Sequence, residues 1–283
     1  MRIVIKFAGA LLEDAAIIQS LAQHVANLAG QNHEILVIHG GGRLFTSTLK
    51  RLGIESKFVS GLRITDRETR DAAVMVFAGL LNKRLAAAIT AAGQPAIGIS
   101  AADAECFSAA PLVHNEVEGS LGFVGYLTGV KISFLESLWR ENLLPVAACL
   151  GQDTAGELYN INADHMAAAC AEFIGADHLI YLTDVAGVLH GENVISAISC
   201  EQIEHLVHTR VVSGGMVLKL EAAKRALEGG VREVHIVGGD SAAAVLDPRL
   251  FAEPSSMNSF SSLPGTRVLR SSSAGGYASQ AVF

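Results

Sequence analysis

Short apolar runs rich in valine and isoleucine alternate along this chain with longer, alanine-rich stretches in which apolar residues recur every three or four positions. In the first third, the runs are Ile3 to Phe7, Glu34 to Ile38 and Ala96 to Ile99, and the helical spacing covers Asp14 to Leu28 and Asp66 to Ala91. Buried parallel strands joined by crossover helices have this pattern. The alternation predicts a doubly wound α/β fold around a mainly parallel sheet.

The same rhythm continues in the second half of the chain. Strands are predicted at Leu143 to Ala147, His178 to Leu182 and Glu233 to Val237, and helices at Ala163 to Phe173 and Gly215 to Leu227. Because no proline-rich linker interrupts the pattern, a lobe boundary is expected within it, near residues 172 to 178.

Two segments break the rhythm. Leu112 to Val130 has an alternating sequence with turn residues at Asn115, Gly119, Gly122 and Gly125, and it is predicted to form antiparallel hairpins. The last part, Glu253 to Phe283, is rich in serine and glycine. Within it, Gly265 to Leu269 is expected to form a final strand, and the residues after Arg270 are expected to be poorly ordered.

Composition excludes several functional classes. No uninterrupted apolar stretch reaches the roughly 20 residues of a membrane-spanning helix, and the N-terminus reads as a strand rather than a secretion signal. A cytoplasmic protein without a membrane segment is expected. The net charge of −7 argues against nucleic acid as a partner, because that binding depends on clustered lysine and arginine. The four cysteines are scattered without zinc-ligand spacing, so reduced thiols and no protein-held metal are predicted.

Glycine-rich segments follow several predicted strands and open helices. His39-Gly40-Gly41-Gly42 places uncovered backbone amides at a helix N-terminus, which suits an anion, although a turn chosen for its backbone angles is an equally good explanation. Lys6 lies at the end of the first strand, and Ser213-Gly214-Gly215 starts a helix whose first turns carry Lys219. The two lysines can therefore converge on one phosphate chain.

Polar residues at three further places are candidates for a site. Asn160, Asn162 and Asp164 lead from an extended segment into a helix that Asn162 can cap, and Asp164 can position lysine ammonium groups. Arg63 precedes a helix that Thr65 or Asp66 can cap, and its guanidinium suits a carboxylate.

Taken together and in this order, these segments resemble the amino-acid kinase family, and within it the enzymes whose acceptor is N-acetyl-L-glutamate. The resemblance extends from Lys6 to about Leu269. It rests on seven linked motifs: His39-Gly40-Gly41-Gly42, Gly61 to Asp66, Asn82-Lys83, Leu121 to Gly125, Asn160 to Asp164, Leu182 to Val185, and Ser213 to Lys219.

The resemblance implies a three-layer αβα sandwich with a central, mainly parallel, eight-stranded sheet. Residues 1 to 175 would form an N-terminal lobe for the acyl amino acid and for dimerisation, and residues 176 to 283 a C-terminal lobe for ATP. The expected reaction is phosphorylation of the side-chain carboxylate by ATP, with Mg²⁺ arriving on the nucleotide.

The resemblance also assigns roles by position. Lys6 and Lys219 would neutralise charge on the moving phosphoryl group, and Asp164 would orient both. The acceptor would be held by four residues: Gly41, Gly42, Arg63 and Asn160. The nucleotide would be held by Gly9 and by two segments, namely Asp184, Val185, Ala186, Gly187, Val188 and Leu189, and then Val211, Val212 and Ser213.

Several positions depart from the family pattern. Ala8 and Ala10 stand where relatives usually carry glycine or a small polar residue, and Ser60 replaces an asparagine. Ile99 to Ala104 lacks one lysine and two glycines of the usual Leu-Ser-Gly-Lys-Asp-Gly segment. The chain starts at its first strand, without the N-terminal helix of arginine-regulated hexamers, so a homodimer is expected.

Two alternatives remain open at this stage. One is a kinase for a related acceptor, such as acetylaminoadipate or a carrier-linked amino acid, because one methylene of acceptor length changes discrimination by only about 1 to 3 kcal/mol. The other is a non-catalytic member of the same fold that binds an amino acid or nucleotide for regulation. The presence of Lys6, Asp164 and Lys219 disfavours it.

Overall fold

The computed structural model describes residues 1–113, 121–251 and 263–270. In chain order, the strands are β1 (Arg2–Phe7), β2 (Glu34–His39), β3 (Phe58–Val59), β4 (Leu62–Arg63), β5 (Ala96–Ile99), β6 (Phe107–Pro111), β7 (Val124–Val130), β8 (Leu144–Ala148), β9 (Leu150–Gln152), β10 (Leu158–Ile161), β11 (His178–Thr183), β12 (Leu189–His190), β13 (Asn193–Val194), β14 (Ala197–Ser199), β15 (Glu233–Gly238) and β16 (Thr266–Leu269).

The helices lie between these strands. They are α1 (Ala15–Ala29), α2 (Gly42–Arg51), α3 (Arg67–Val74), α4 (Asn82–Ala91), α5 (Ile132–Arg140), α6 (Ala163–Phe173), α7 (Cys200–His208), α8 (Gly215–Glu228) and α9 (Ala242–Val245). A π-helical segment, Met75–Leu81, joins α3 to α4, and 3₁₀ turns cover Gly9–Leu12, Gly239–Ser241 and Pro248–Phe251.

Eight strands form the central sheet, in the order β14-β16-β15-β11-β1-β2-β8-β5. The six strands from β15 to β5 are parallel, whereas β16 runs antiparallel to β15 and pairs in parallel with β14. β1 and β11 are buried along almost their whole length, which explains their unbroken apolar sequences. With helices covering the sheet, α1 packing on α4 and α6 on α8, the predicted αβα sandwich is confirmed.

The predicted element bounds agree closely with the structure. Strand β5 and helix α6 have the predicted bounds, and the other predicted strands and helices differ by one residue at one or both ends. The final strand is confirmed as Thr266–Leu269. The predicted disorder after Arg270 falls outside the described residues.

A second, smaller sheet was only partly predicted. β6 and β7 pair antiparallel, but only β7 lies within the predicted Leu112 to Val130 segment, because β6 runs from Phe107 to Pro111. The predicted turn at Asn115 lies outside the described residues. These two strands close into a four-stranded barrel with β9 and β10. The barrel brings Asn160 on β10 beside Val124 on β7.

One continuous helix, Arg67–Ala91, is long and apolar enough to cross a membrane by length and composition alone, since its most apolar 18 residues have a mean hydropathy of 1.5. Half of that stretch is buried inside the protein, and the helix packs against β5 and β8. This is the packing of a core helix, and it explains the apolar sequence without a membrane.

Two of the departures from the family pattern lie where the backbone is left-handed. Ser60 has a φ of 47° in the β3–β4 turn, and Ala104 has a φ of 56° beside Glu105 at 54°. Most residues with a Cβ are strained in this region, asparagine tolerates it better than the others, and glycine is unstrained. The glycine that the family pattern has at the position of Ala104 therefore suits the left-handed backbone there.

Ala104→Gly is expected to raise the free energy of unfolding by about 0.5 to 1 kcal/mol, because relief of the left-handed strain exceeds the added chain entropy of glycine. The matched control is Ala102→Gly, an exposed position two residues earlier that lacks a positive φ and should lose stability. Urea unfolding of the three proteins measures both effects. Equal destabilisation by both changes would contradict the strain at Ala104.

Candidate active site

The candidate site lies where parallel strands end at one edge of the central sheet. β1, β2 and β11 are neighbours, and their last residues, Phe7, His39 and Thr183, each lead into a loop at that edge. In open α/β sheets, ligands bind at the carboxyl ends of the strands. Lys6 is the penultimate residue of β1, so its side chain starts at this edge.

Lys6, Asp164 and Lys219 form one ionic cluster. Asp164 Oδ1 lies 2.7 Å from Lys6 Nζ and 2.8 Å from Lys219 Nζ. The three residues come from β1, the first turn of α6 and the second turn of α8, so three separate elements fix the cluster. The α6 start is itself fixed, because Asn162 Oδ1 accepts hydrogen bonds from the backbone amides of Asp164 and His165.

The cluster carries an excess of positive charge in a place with little water. Lys6 and Lys219 are 6% and 5% exposed, and one carboxylate serves both ammonium groups. Burial alone would raise the pKa of Asp164, but the two ammonium groups outweigh it and hold that pKa well below its usual value. Burial and the nearby charge of Lys6 lower the pKa of Lys219 to about 8, despite the attraction of Asp164. A further anion would balance this centre.

The loops after β1 and β2 touch each other through their glycines. A Cβ on Gly9 would lie 2.3 Å from the backbone nitrogen of Gly42, and Gly42 itself has a φ of 51°. Neither position can carry a side chain without moving the other loop. Gly42, the last of the three glycines that follow β2, is therefore needed for this close approach as well as for exposing an amide.

Two helix N-termini at this edge lack side-chain caps. Gly41 precedes α2 and Gly214 precedes α8, and among the residues that the structure describes no side-chain hydrogen bond caps either helix start. Such amides, at the positive end of the helix dipole, are suited to phosphate or carboxylate oxygens. Gly41 also packs on Phe77 of the π-helical segment, where a Cβ would lie 2.0 Å from the ring.

Arg63 is a half-buried cation with no acidic partner among the described residues. Its guanidinium donates hydrogen bonds to the hydroxyls of Ser56 and, at 2.9 Å, Thr46. Phe45 and Phe58 stack on it, with ring centroids 4.9 and 4.4 Å from Cζ. Burial lowers the pKa of Arg63. The Arg63 side chain is thus held in place, and its guanidinium can form an ion pair with an incoming anion.

Asn160 is connected to Arg63 through a buried threonine. Asn160 Nδ2 donates to Thr65 Oγ1 at 3.1 Å, and Thr65 Oγ1 donates to the backbone oxygen of Arg63 at 2.9 Å. The Thr65 backbone in turn pairs with Leu121 and Phe123. Sequence reasoning considered Thr65 only as a helix cap, whereas Asp66 caps α3; Thr65 instead joins two candidate acceptor residues.

The predicted nucleotide segments lie partly at the surface and partly in the core. Asp184, Val185 and Ala186 are exposed in the loop after β11. The side chains of Val188 and Val212 are buried in the hydrophobic core, so these two residues could meet a nucleotide only through their backbone. Gly187 is also buried, while Leu189, Ser213 and, in part, Val211 are accessible.

Two further groups at this edge were not singled out from the sequence. Gly238 ends β15 against the loop after β11, where a Cβ would lie 3.3 Å from Ala186 Cα, and a glycine pair after a strand is a signal that could have identified it. Tyr181 contacts both Asp164 and Lys219. Its position inside an apolar strand gave no such signal.

A sequence model of the amino acid kinase family matches residues 1–238. The chain belongs to the amino acid kinase family. Curated relatives include two named acetylglutamate kinase. One, from Koribacter versatilis, is 48% identical over 90% of this chain and 96% of its own length, and the other, from Acidobacterium capsulatum, is 43% identical over 87% and 94%.

Solved structures support the amino acid kinase fold independently. N-acetylglutamate synthase from Neisseria gonorrhoeae, complexed with coenzyme A and N-acetyl-glutamate, superposes with a TM-score of 0.80 at 22% identity. The alignment covers 95% of this chain but only 59% of that one, so this chain spans less than two thirds of the length of that protein. At this identity the likeness shows the fold alone.

Proposed function

We propose that this protein is an acetylglutamate kinase, which uses MgATP to phosphorylate the side-chain carboxylate of N-acetyl-L-glutamate in the second step of arginine and ornithine biosynthesis. The observation that carries the proposal is the buried cluster in which Lys6 and Lys219 share the carboxylate of Asp164. The names of the 48% and 43% identical relatives support the choice of acceptor.

The chemistry suits the residues present. The acceptor carboxylate, with a pKa near 4, is ionised at neutral pH and needs no general base. One of its oxygens forms a bond to the γ-phosphorus while the bond from that phosphorus to the leaving ADP oxygen breaks. Catalysis then consists of holding two anions in line and stabilising the spreading charge. The excess positive charge of the Lys6, Asp164 and Lys219 cluster provides that stabilisation.

The acceptor side of the site is assigned to Arg63, Asn160, Gly41 and Gly42. Arg63 and Asn160 would hold the α-carboxylate and neighbouring atoms, because Arg63 is fixed by hydroxyls and rings and, within the described part of the chain, pairs with no carboxylate. The amides of Gly41 and Gly42 would face the reacting carboxylate at the uncapped start of α2.

The nucleotide side of the site is assigned to Gly9, the 184–189 loop and residues 211–213. Gly9 would donate its amide to a phosphate, and the two segments would surround the nucleotide next to the uncapped start of α8. Bound Mg²⁺ would supply charge neutralisation of the phosphates. Asp164 is already shared by two lysines, so an ion carried mainly by phosphates and water fits this donor set better than a carboxylate cage.

The remaining expectations concern the whole protein. Residues 1 to 175 would form the lobe for the acyl amino acid, and residues 176 to 283 the lobe for ATP. Met75 and Leu80, 60% and 40% exposed on the long Arg67–Ala91 helix, support a homodimer through the N-terminal lobe. Light scattering should give about twice the 29.6 kDa chain mass. A cytoplasmic location accords with the need for MgATP.

The experiment that tests the function is a panel of acceptors with MgATP and hydroxylamine, which traps an acyl phosphate as a hydroxamate. N-acetylglutamate should give hydroxamate and matching ADP release in preference to glutamate, acetylaspartate and acetylaminoadipate. Preference for another acceptor would change the assigned substrate but retain the reaction. Folded protein that turns over none of them would favour the non-catalytic alternative.

Arg63→Ala is expected to raise KM for N-acetylglutamate about 100-fold, because charge-assisted hydrogen bonds to a carboxylate contribute about 1.5 to 3 kcal/mol each. KM for ATP should stay within about twofold. The matched control is Arg51→Ala, an exposed arginine at the end of α2. Steady-state kinetics with each substrate varied measures both constants. An unchanged acceptor KM would remove Arg63 from the acceptor site.

A further inference from the structure

Tyr181 is a fully buried residue in the middle of β11, next to the ionic cluster but outside the roles assigned above. It is 0% exposed and lies directly opposite Lys6 in the β1–β11 pairing. Packing alone would explain a large side chain at this position. Its two polar contacts need a separate explanation.

One side chain contacts two members of the cluster. The Tyr181 hydroxyl donates a hydrogen bond to the backbone oxygen of Asp164 at 3.1 Å, and the Lys219 ammonium lies 4.8 Å from the centroid of the Tyr181 ring. An ammonium within about 6 Å of an aromatic centroid is attracted by the negative face of the ring. The hydroxyl and the ring therefore act on different partners.

The groups around Lys219 both favour and oppose its positive charge, and the Tyr181 ring is one of those that favour it. Lys6 on β1 and burial both oppose its charge, and Asp164 on α6 favours it. Three other acids on elements packed against α8 pair with cations other than Lys219: Glu172 on α6 with Arg225, Glu204 on α7 with Lys224, and Glu233 on β15 with Arg267. The ring face is the further attraction that Lys219 receives from β11.

We propose that Tyr181 is a positioning residue whose ring face keeps the Lys219 ammonium charged and in place, and whose hydroxyl holds the first turn of α6. Its importance for phosphoryl transfer rests on the proposed function. The contact between Tyr181 and Lys219 does not, so the two ideas are tested separately.

The first test measures the Lys219 ammonium without turnover. Protein labelled with ¹³C and ¹⁵N in lysine is titrated by NMR, and the Lys219 signals are assigned by their absence in Lys219→Met. Tyr181→Leu removes ring and hydroxyl, and it should lower the pKa of Lys219 by about one unit, equivalent to about 1.4 kcal/mol. Tyr181→Phe keeps the ring and should leave that pKa in place. If Tyr181→Leu does not fold, Tyr181→Met, which has a longer and more flexible side chain, is used in its place.

The second test is the pH dependence of kcat/KM for ATP, which reports the free enzyme. If the pKa of Lys219 falls from about 8 to about 7, kcat/KM in Tyr181→Leu should fall about fivefold at pH 8 but less than about twofold at pH 6.5. A purely structural defect would lower activity equally at both values. The alkaline limb of Tyr181→Phe should match that of the wild type.

The outcomes separate the two ideas. An unmoved Lys219 pKa in Tyr181→Leu or Tyr181→Met overturns the positioning role, whether or not the enzyme turns over acetylglutamate. An equal shift in Tyr181→Phe would assign the effect to the hydroxyl and overturn the role of the ring. If the wild-type protein has no kinase activity but Tyr181→Leu still lowers the pKa of Lys219, the contact is retained and the proposed function is rejected.

Discussion

Replacing Lys219 by methionine is expected to lower kcat about 10³-fold while KM for acetylglutamate stays within about threefold. Lys219 is 5% exposed and its Nζ lies 2.8 Å from Asp164 Oδ1, so the ammonium is already in place before charge develops on the phosphoryl group. Removing one such preorganised donor costs about 10² to 10³ in kcat in other enzymes. Methionine keeps the length and apolar character of the stem and removes the charge.

The matched control is Lys224→Met on the same helix. Lys224 forms an exposed pair with Glu204 outside the cluster, and its loss should change kcat less than about twofold. Lys6→Met should resemble Lys219→Met, because both ammonium groups bind the same oxygen. If Lys6→Met, Lys219→Met and Lys224→Met all retain the wild-type kcat, the claim that Lys6 and Lys219 stabilise the transferred charge is wrong.

Removing the carboxylate of Asp164 should produce the largest loss of stability. Asp164→Leu would leave two buried ammonium groups without a counterion, and breaking a buried pair in this way costs about 3 to 5 kcal/mol. In a chain of this size that loss would lower Tm by about 10 °C. Thermal and urea unfolding measure it, with Glu55→Leu, in the exposed pair with Lys57, as the control with little effect.

The triple variant Lys6→Met, Asp164→Leu and Lys219→Met separates stability from function. It removes every charge of the cluster and should recover to within about 1 to 2 kcal/mol of the wild type, because no unpaired ion remains buried. It should still be inactive. A triple variant as unstable as Asp164→Leu alone would show that the loss comes from packing around α6 rather than from unpaired charge.

The sequence predicts the strand-end part of the site well, for a physical reason. Parallel strands place their carboxyl ends at one edge, so polar and glycine residues after predicted strands must gather there. Lys6, the glycines after His39 and the 184–187 loop follow this rule, and local capping chemistry places Asp164 at the start of α6. None of these inferences needs knowledge of long-range packing.

Other parts depend on contacts that short-range patterns do not contain. The barrel joins Ser108 to Gln152, 44 positions apart, and of its strands β6 and β7 only β7 lies in the alternating Leu112 to Val130 segment. Val188 and Val212 lie within the two predicted nucleotide segments, yet their side chains enter the core. Tyr181 reads as one more buried strand residue, and its contacts with α6 and α8 appear only when those helices are packed.

The most direct test of the central claim follows one oxygen atom. Acetylglutamate labelled with ¹⁸O in its side-chain carboxylate is incubated with the enzyme, MgATP and hydroxylamine, and the released phosphate is analysed by mass spectrometry. If the carboxylate attacks the γ-phosphorus, hydroxylamine cleaves the acyl phosphate at its carbonyl carbon, and each trapped phosphate carries one ¹⁸O from the acceptor. Unlabelled phosphate accompanying ADP would mean that water is the acceptor, and it would contradict phosphoryl transfer to the carboxylate.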